Sequence, residues 1–171
     1  MSIAQDNIDL INSLLGLSNE SDTYAARHFR EEVLTGTQAS YEALFGDKLS
    51  LPLSTRWLIG VYASKLSKAT ELTEHYVEQA EKANVNPVWL QAVLNDDLSA
   101  IDDATVKAML TYTNTLTLNP IAGDKAALQA LEQSGVSVPD CVALAQLIAF
   151  LSYQVRLVTG IKAMQALEKL G

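Results

Sequence analysis

Residues 51–80 read LPLSTRWLIGVYASKLSKATELTEHYVEQA. Leu58, Tyr62, Leu66, Ala69, Leu72, Tyr76 and Ala80 recur at steps of three and four. That spacing predicts a helical segment with one apolar stripe, the kind that packs against other helices. The segment, the central hairpin region, follows the turn GDKLSLP and ends in a polar ridge around His75. If the helix is continuous, Arg56, Lys68, Glu71 and His75 approach a common side. Glu71 and His75 would then be i,i+4 neighbours, and the carboxylate could hold the imidazole in one tautomer.

The same helical period continues in both directions, and no run alternates apolar and polar residues long enough to make a strand. Upstream, residues 5–15 place Ile8, Ile11, Leu14 and Leu15 on one face and stop at Gly16. Ser21 or Asp22 can cap a second helix running to about Leu34, and Thr37 to Phe45 forms a short third one ended by Gly46. Downstream, Asn84 to Pro87 breaks the central region and Pro87 opens a short helix over 87–94. Asp102 is positioned to cap a helix over 103–117 that Asn119-Pro120 stops. Asp124 caps the next, ending at Gly135. A long helix then runs from Pro139 to about Leu170, apolar nearly all round through Val155, which predicts a place at the centre of a bundle. The chain is thus expected to be one all-α domain, with residues 1–46 as an N-terminal helical arm and 51–171 as the core.

The chain has 171 residues, 49% of them hydrophobic, enough for a substantial core or for surface buried between subunits. Its 12 Lys+Arg against 20 Asp+Glu give a formal charge of −8 and a pI near 4.6. A surface of that sign repels nucleic acid and anionic lipid, so neither is an expected partner. The stretch MSIAQDNIDLINSLLG has acidic residues and no basic region ahead of its apolar ones, unlike a signal peptide. Cys141 to Leu151, interrupted by Gln146, is too short to span a bilayer. A single cysteine excludes an intrachain disulfide and suits a reducing compartment, so a soluble cytoplasmic protein is expected.

Three stretches resemble the AhpD-like, carboxymuconolactone decarboxylase family. They are the central segment continuing through TELTEHYVEQAEKANVNPVWLQAVL, the region from AMLTYTNTLTLNP to LSYQVRLVTG, and the arm DLINSLL…REEVLTGTQASYEALFG. The arm is similar to that of a subgroup related to peroxidase-like sister proteins. The resemblance implies an all-α AhpD-like bundle, a homo-oligomer (trimer or hexamer), and alkylhydroperoxidase-related, peroxiredoxin-type or decarboxylase chemistry without a cofactor. In redox members a C-x-x-C-x-x-x-H motif carries the reaction, one thiolate attacking and the other resolving. Counting back from His75 puts Glu71 and Lys68 where those cysteines would sit, and Thr55-Arg56 where the family has a relay glutamate. Ser64-x-x-Ser67 imitates the spacing out of register, and hydroxyls cannot cycle through a disulfide.

Three functions follow. The first is a non-redox or non-catalytic oligomer acting in assembly or ligand binding beside a cysteine-bearing sister. The second is a cofactor-free decarboxylase or isomerase on a small organic acid. There His75, helped by Glu71, would transfer a proton, while Arg56, Lys68, Tyr153 and Arg156 would bind the substrate, the last two from the family's aromatic-x-x-Arg element. The third is residual peroxidase chemistry at Cys141, which opens the last helix beside Asp140. A buried arginine needs an anionic partner, for which Glu71 or another carboxylate would serve. A metal could use Glu71 and His75 with Glu74 or another carboxylate, but the chain has only two histidines, His28 and His75, and no second helical E-x-x-H-like pair, so no metal site is expected. No Gly-rich phosphate loop or Ser/His/Asp spacing is present.

Overall fold

The computed structural model describes residues 9–170, and Ile8 with the rest of 1–8 lies outside that range. The described residues form nine α-helices, two 3-10 turns and no strand. The helices are α1 Leu10–Leu15, α2 Asp22–His28, α3 Glu31–Phe45, α4 Leu53–Leu66, α5 Thr70–Lys82, α6 Pro87–Leu94, α7 Ala104–Leu118, α8 Lys125–Gln133 and α9 Val138–Glu168.

The central hairpin region is a pair of helices, so the continuous helix that would align Arg56, Lys68, Glu71 and His75 is not present. Ser67 ends α4 and Lys68 turns into the left-handed region at φ 57°. The Ala69 amide then donates to Ser64 O and the Lys68 amide to Lys65 O, closing a Schellman turn. Asn84 and Asp96 end α5 and α6 with the same pair of bonds at φ 53° and 55°. None of these three positions is glycine, so the usual mark of a helix end is missing from the sequence. Buried Tyr62 secures the third turn: its hydroxyl donates to Asp96 Oδ1 at 2.6 Å and accepts from Asn114 Nδ2 at 3.0 Å.

Every residue from Thr55 to Ser64 is buried. The centre of the bundle is therefore α4, which packs on α3, α5, α6, α7 and α9. The expectation that α9 lies there is corrected: α9 buries Leu144, Leu147, Ile148, Leu151 and Gln154 but leaves Val142 54% and Tyr153 40% exposed. All-round apolarity does not say whether the covering surface comes from the same chain. An 18-residue window of α9 has mean hydropathy 1.6 and is 44% buried, so by length and composition this helix is sufficient to cross a membrane. Its inner face, however, packs on α1, α2, α3, α4, α7 and α8.

The arm departs from expectation too. The helix begun by Ser21 stops at His28, not near Leu34, and α3 starts at Glu31 and runs unbroken through Thr35-Gly36-Thr37. The threonine hydroxyls bond back to Glu31 O and Val33 O, so they do not compete with the helical ladder. Glu31 and Glu32 in the first turn favour the new start. Asp103, not Asp102, caps α7, while Asp102 accepts from Trp89 Nε1 at 2.9 Å. Two arm residues, Ile11 and Phe45, belong to the same buried cluster as α4 and α9.

Candidate functional site

The α4–α5 turn separates the residues that a continuous helix would have aligned. Lys68 sits exposed in the left-handed turn, and Glu71 lies in the first turn of α5. The Glu71–His75 pair does not form. The Glu71 carboxylate accepts instead from Lys162 Nζ of α9, and that ammonium holds its pKa below the ordinary carboxylate value. Half of the Lys162 side chain is exposed, so this ion pair contributes little stability.

His75 faces the arm. Its Nε2 lies 2.8 Å from the Tyr41 hydroxyl of α3. Burial pushes the Tyr41 phenol up to about 12 and the imidazole down, with only a partial lift from Glu78. At neutral pH the proton therefore stays on Tyr41 oxygen, which donates to Nε2 and leaves the ring hydrogen on Nδ1. Around the pair is an aromatic cluster. Phe45 and Trp57 stack at 4.0 Å, and His75 meets Tyr76 edge-on at 5.2 Å. Tyr76, wholly buried, donates to Gln154 Oε1 of α9. Sequence reading missed Tyr41 and Gln154. The signal for Gln154 was a lone polar side chain on the inner face of an apolar helix, between the two residues that the aromatic-x-x-Arg element emphasised.

The depressed imidazole pKa carries a pH prediction. An unfolded histidine takes a proton near pH ~6.5, while folded His75 resists it to lower pH. Stability from the neutral form is therefore full above about pH 6.5 and is lost as pH falls below it. Thermal unfolding should show a lower melting temperature at pH 5 than at pH 7, and His75→Gln should flatten that slope. An equal slope in the variant would remove His75 as its source. The Glu71 contribution is lost only at more acid pH, so the two windows separate.

Arg56 is 2% exposed, and its partners are not carboxylates. Its Nη1 donates to Leu44 O at 2.6 Å and Gly46 O at 2.8 Å, and its Nε to Leu51 O at 2.8 Å. The guanidinium thus gathers carbonyls at the end of α3 and in the loop before α4, the negative end of a helix dipole. Arg156 is exposed and donates to Ser152 O one turn back on its own helix. Tyr153 pairs its hydroxyl with Thr37 at 2.9 Å. The structure therefore does not bring Arg56 and Arg156 together around a shared anion, and it corrects the expectation of an ion-paired Arg56.

Cys141 is 6% exposed, and its Sγ makes only a long 4.0 Å contact with Val136 O. Burial pushes the thiol pKa up, with Glu132 and Asp140 adding to the rise. Ser64 spends its hydroxyl on Gly60 O and Val61 O inside α4. Among the described residues no group of three or more His, Cys, Asp and Glu side chains gathers in metal-ligand geometry. Sequence reading also missed a buried ion pair, Arg27 Nη2 to Asp9 Oδ1 at 3.0 Å, which joins α2 to the cap of α1.

No family model matches the chain, and no curated protein sequence matches it. Solved structures do. A peroxidase-related protein from Silicibacter sp. TM1040 aligns over 88% of this chain and 78% of its own, with TM-score 0.72 and 19% identity. An alkylhydroperoxidase AhpD-core, peroxidase-related protein from Ralstonia eutropha JMP134 covers 77% of this chain and 69% of its own, with TM-score 0.70 and 19% identity. The debrominase Bmp8, a cysteine-to-alanine variant in complex with 2,3,4-tribromopyrrole, covers 89% and 79%, with TM-score 0.68 and 16% identity. The chain has the all-α AhpD-like fold.

Proposed function

We propose that this is a non-redox protein of the AhpD-like fold, working in the cytoplasm as a homo-oligomer by binding rather than by thiol turnover. The observation that carries the reading is the state of its one thiol. A peroxidatic cysteine needs an accessible, stabilised thiolate, whereas Cys141 is buried and its ionisation is opposed by burial and two carboxylates. Lys68 and Glu71 at the positions of the redox pair add to this, since neither can form a disulfide. The exposed apolar residues of α9, among them Val142, Tyr153 and Met164, support a homo-oligomer. A trimer or hexamer, alone or beside a cysteine-bearing sister protein, is the assembly that fits the resemblance. The debrominase complex supports a fold able to hold a small ring molecule.

The test is hydroperoxide consumption with a dithiol reductant, comparing the wild type with Cys141→Ser. Neither protein should exceed the background rate. Turnover by the wild type that disappears in the variant would overturn the reading in favour of a one-cysteine peroxidase.

The Tyr41–His75 pair favours a second reading, proton transfer on a small organic acid. A neutral imidazole is a competent base, but its Nε2 already accepts from Tyr41. The phenol would therefore stand between substrate and base. Glu71, committed to Lys162, takes no part, and Arg56 is committed to backbone carbonyls. Loss of substrate turnover in both His75→Ala and Tyr41→Phe would favour this reading over the first.

A further inference from the structure

The two-residue link Phe29-Arg30 turns the chain from α2 into α3. The Phe29 amide still bonds Ala26 O at the end of α2, yet 84% of the residue is exposed. Its corner is anchored on both sides, by Arg27 pairing with Asp9 and by the Thr23 amide donating to Glu168 of α9. A lone exposed apolar residue is ordinary, but Phe29 is not alone. Helices α2, α3 and α9 form a half-open groove of about 220 Å3, walled by Val33, Leu34, Tyr153, Leu157 and Met164. Phe29 lies between its α2 and α3 walls in sequence, and Val33, Tyr153 and Met164 on its rim are exposed. A dry cavity of about 150 Å3 is enough to hold a benzene ring, so the groove has room for one phenyl side chain.

The surface itself indicates whose ring that is. A two-fold contact between identical chains uses one patch twice, so a knob and its hole must lie side by side on the same face. Phe29 and the groove do. With Leu167, the side chains of Phe29, Val33, Tyr153 and Met164 expose on the order of 600 Å2, near the roughly 800 Å2 that a standard interface buries on each partner. Each chain carries a formal charge of −8, so two copies repel unless their contact brings opposite charges together. Arg156, one turn along α9 from Tyr153, is exposed and has no carboxylate partner among the described residues. Glu31 and Glu32, also exposed, follow Phe29 at the start of α3. A partner ring seated in the groove carries these acids toward Arg156. We infer that this face binds a second copy of the chain about a two-fold axis, each Phe29 in the other copy's groove. The inference rests on the homo-oligomer proposed above and specifies its contact, since a hexamer built from two trimers contains such axes and a trimer does not.

The experiment is sedimentation equilibrium of the full chain over a concentration series. The wild type should have a mass that is an even multiple of 18.5 kDa. Phe29→Asp changes an exposed residue, so its far-ultraviolet circular dichroism should match the wild type while its mass halves, dimer to monomer or hexamer to trimer. Arg156→Glu should weaken association about tenfold. Adding Glu31→Arg and Glu32→Arg to it should restore association to within about threefold of the wild type. A trimer, or an oligomer that Phe29→Asp leaves at full mass, would overturn the inference and leave the homo-oligomer standing. An Arg156→Glu chain that associates as tightly as the wild type, or reversed charges that restore nothing, would do the same. A monomeric wild type would remove both, and its flotation with zwitterionic vesicles would make this a membrane face instead. None of these outcomes depends on thiol activity.

Discussion

Arg56→Met should destabilise the protein by about 3 kcal/mol, lowering the melting temperature by roughly 9 °C for a chain of this size. Methionine fills much of the same volume and is the better core residue, so a loss cannot be blamed on a hole. What it removes is three hydrogen bonds to Leu44 O, Gly46 O and Leu51 O, which fix the end of α3 against the start of α4. A carbonyl left without a donor loses on the order of 1–3 kcal/mol when fully buried. Water can reach part of this site, which keeps the sum near the lower end. Arg56→Lys separates charge from geometry. One ammonium cannot span three acceptors from the position where the guanidinium uses both Nε and Nη1, so lysine should recover less than half of the loss. Thermal and urea unfolding of both variants decide it. A methionine variant as stable as the wild type would mean these carbonyls find other partners. A fully recovered lysine variant would mean that charge at the helix end, rather than the fork, holds the loop.

The Arg56 result also bears on how the sequence was read. Its burial was legible, since an arginine inside Thr55–Ser64 has nowhere else to go once that stretch is helical. Its partner was not, because backbone carbonyls carry no mark in sequence, and a buried cation invites the search for an acid. The helix end at Lys68 was the one that spacing did not place. Gly16 and Gly135, both at positive φ, announced theirs, and Asn84 to Pro87 marked the break after α5, whereas Lys68 adopts a left-handed conformation with a long side chain attached. The α4–α5 apolar stripe continued across the break because both helices bury their faces in one core, with Leu58 and Tyr62 on one side of the turn and Leu72 and Tyr76 on the other. Periodicity alone does not separate such a hairpin from one rod. Only the rod would place Lys68 and His75 beside Arg56, and the fold takes that site apart. His75 kept its interest through a partner thirty-four residues upstream, Tyr41, which no local spacing could supply.

Gly60 provides the second large effect, and its sign opposes the usual expectation. Alanine in place of a mid-helix glycine ordinarily stabilises by up to about 1 kcal/mol. Gly36 in α3 and Gly160 in α9 should behave that way, since a Cβ at either meets nothing within 4 Å. At Gly60 the same methyl would lie 2.7 Å from Tyr76 Cδ1 and 3.0 Å from Cγ. These atoms belong to the inner half of a ring that cannot swing aside. Tyr76 is fully buried, tied to Gln154 at its hydroxyl and flanked by Phe45 and Trp57. Relief must come from separating α4 from α5, and overpacking of this kind typically loses 1–3 kcal/mol. Gly60→Ala should therefore be destabilised by about 2 kcal/mol net. Gly36→Ala and Gly160→Ala should melt at or slightly above the wild type. A double-mutant cycle with Tyr76→Leu locates the cause: if the ring is the obstacle, the two losses will sum to more than the double variant shows. Strict additivity would place the strain elsewhere in α4, and a stabilised Gly60→Ala would mean that the two helices do not approach as closely as the Gly60–Tyr76 contact requires.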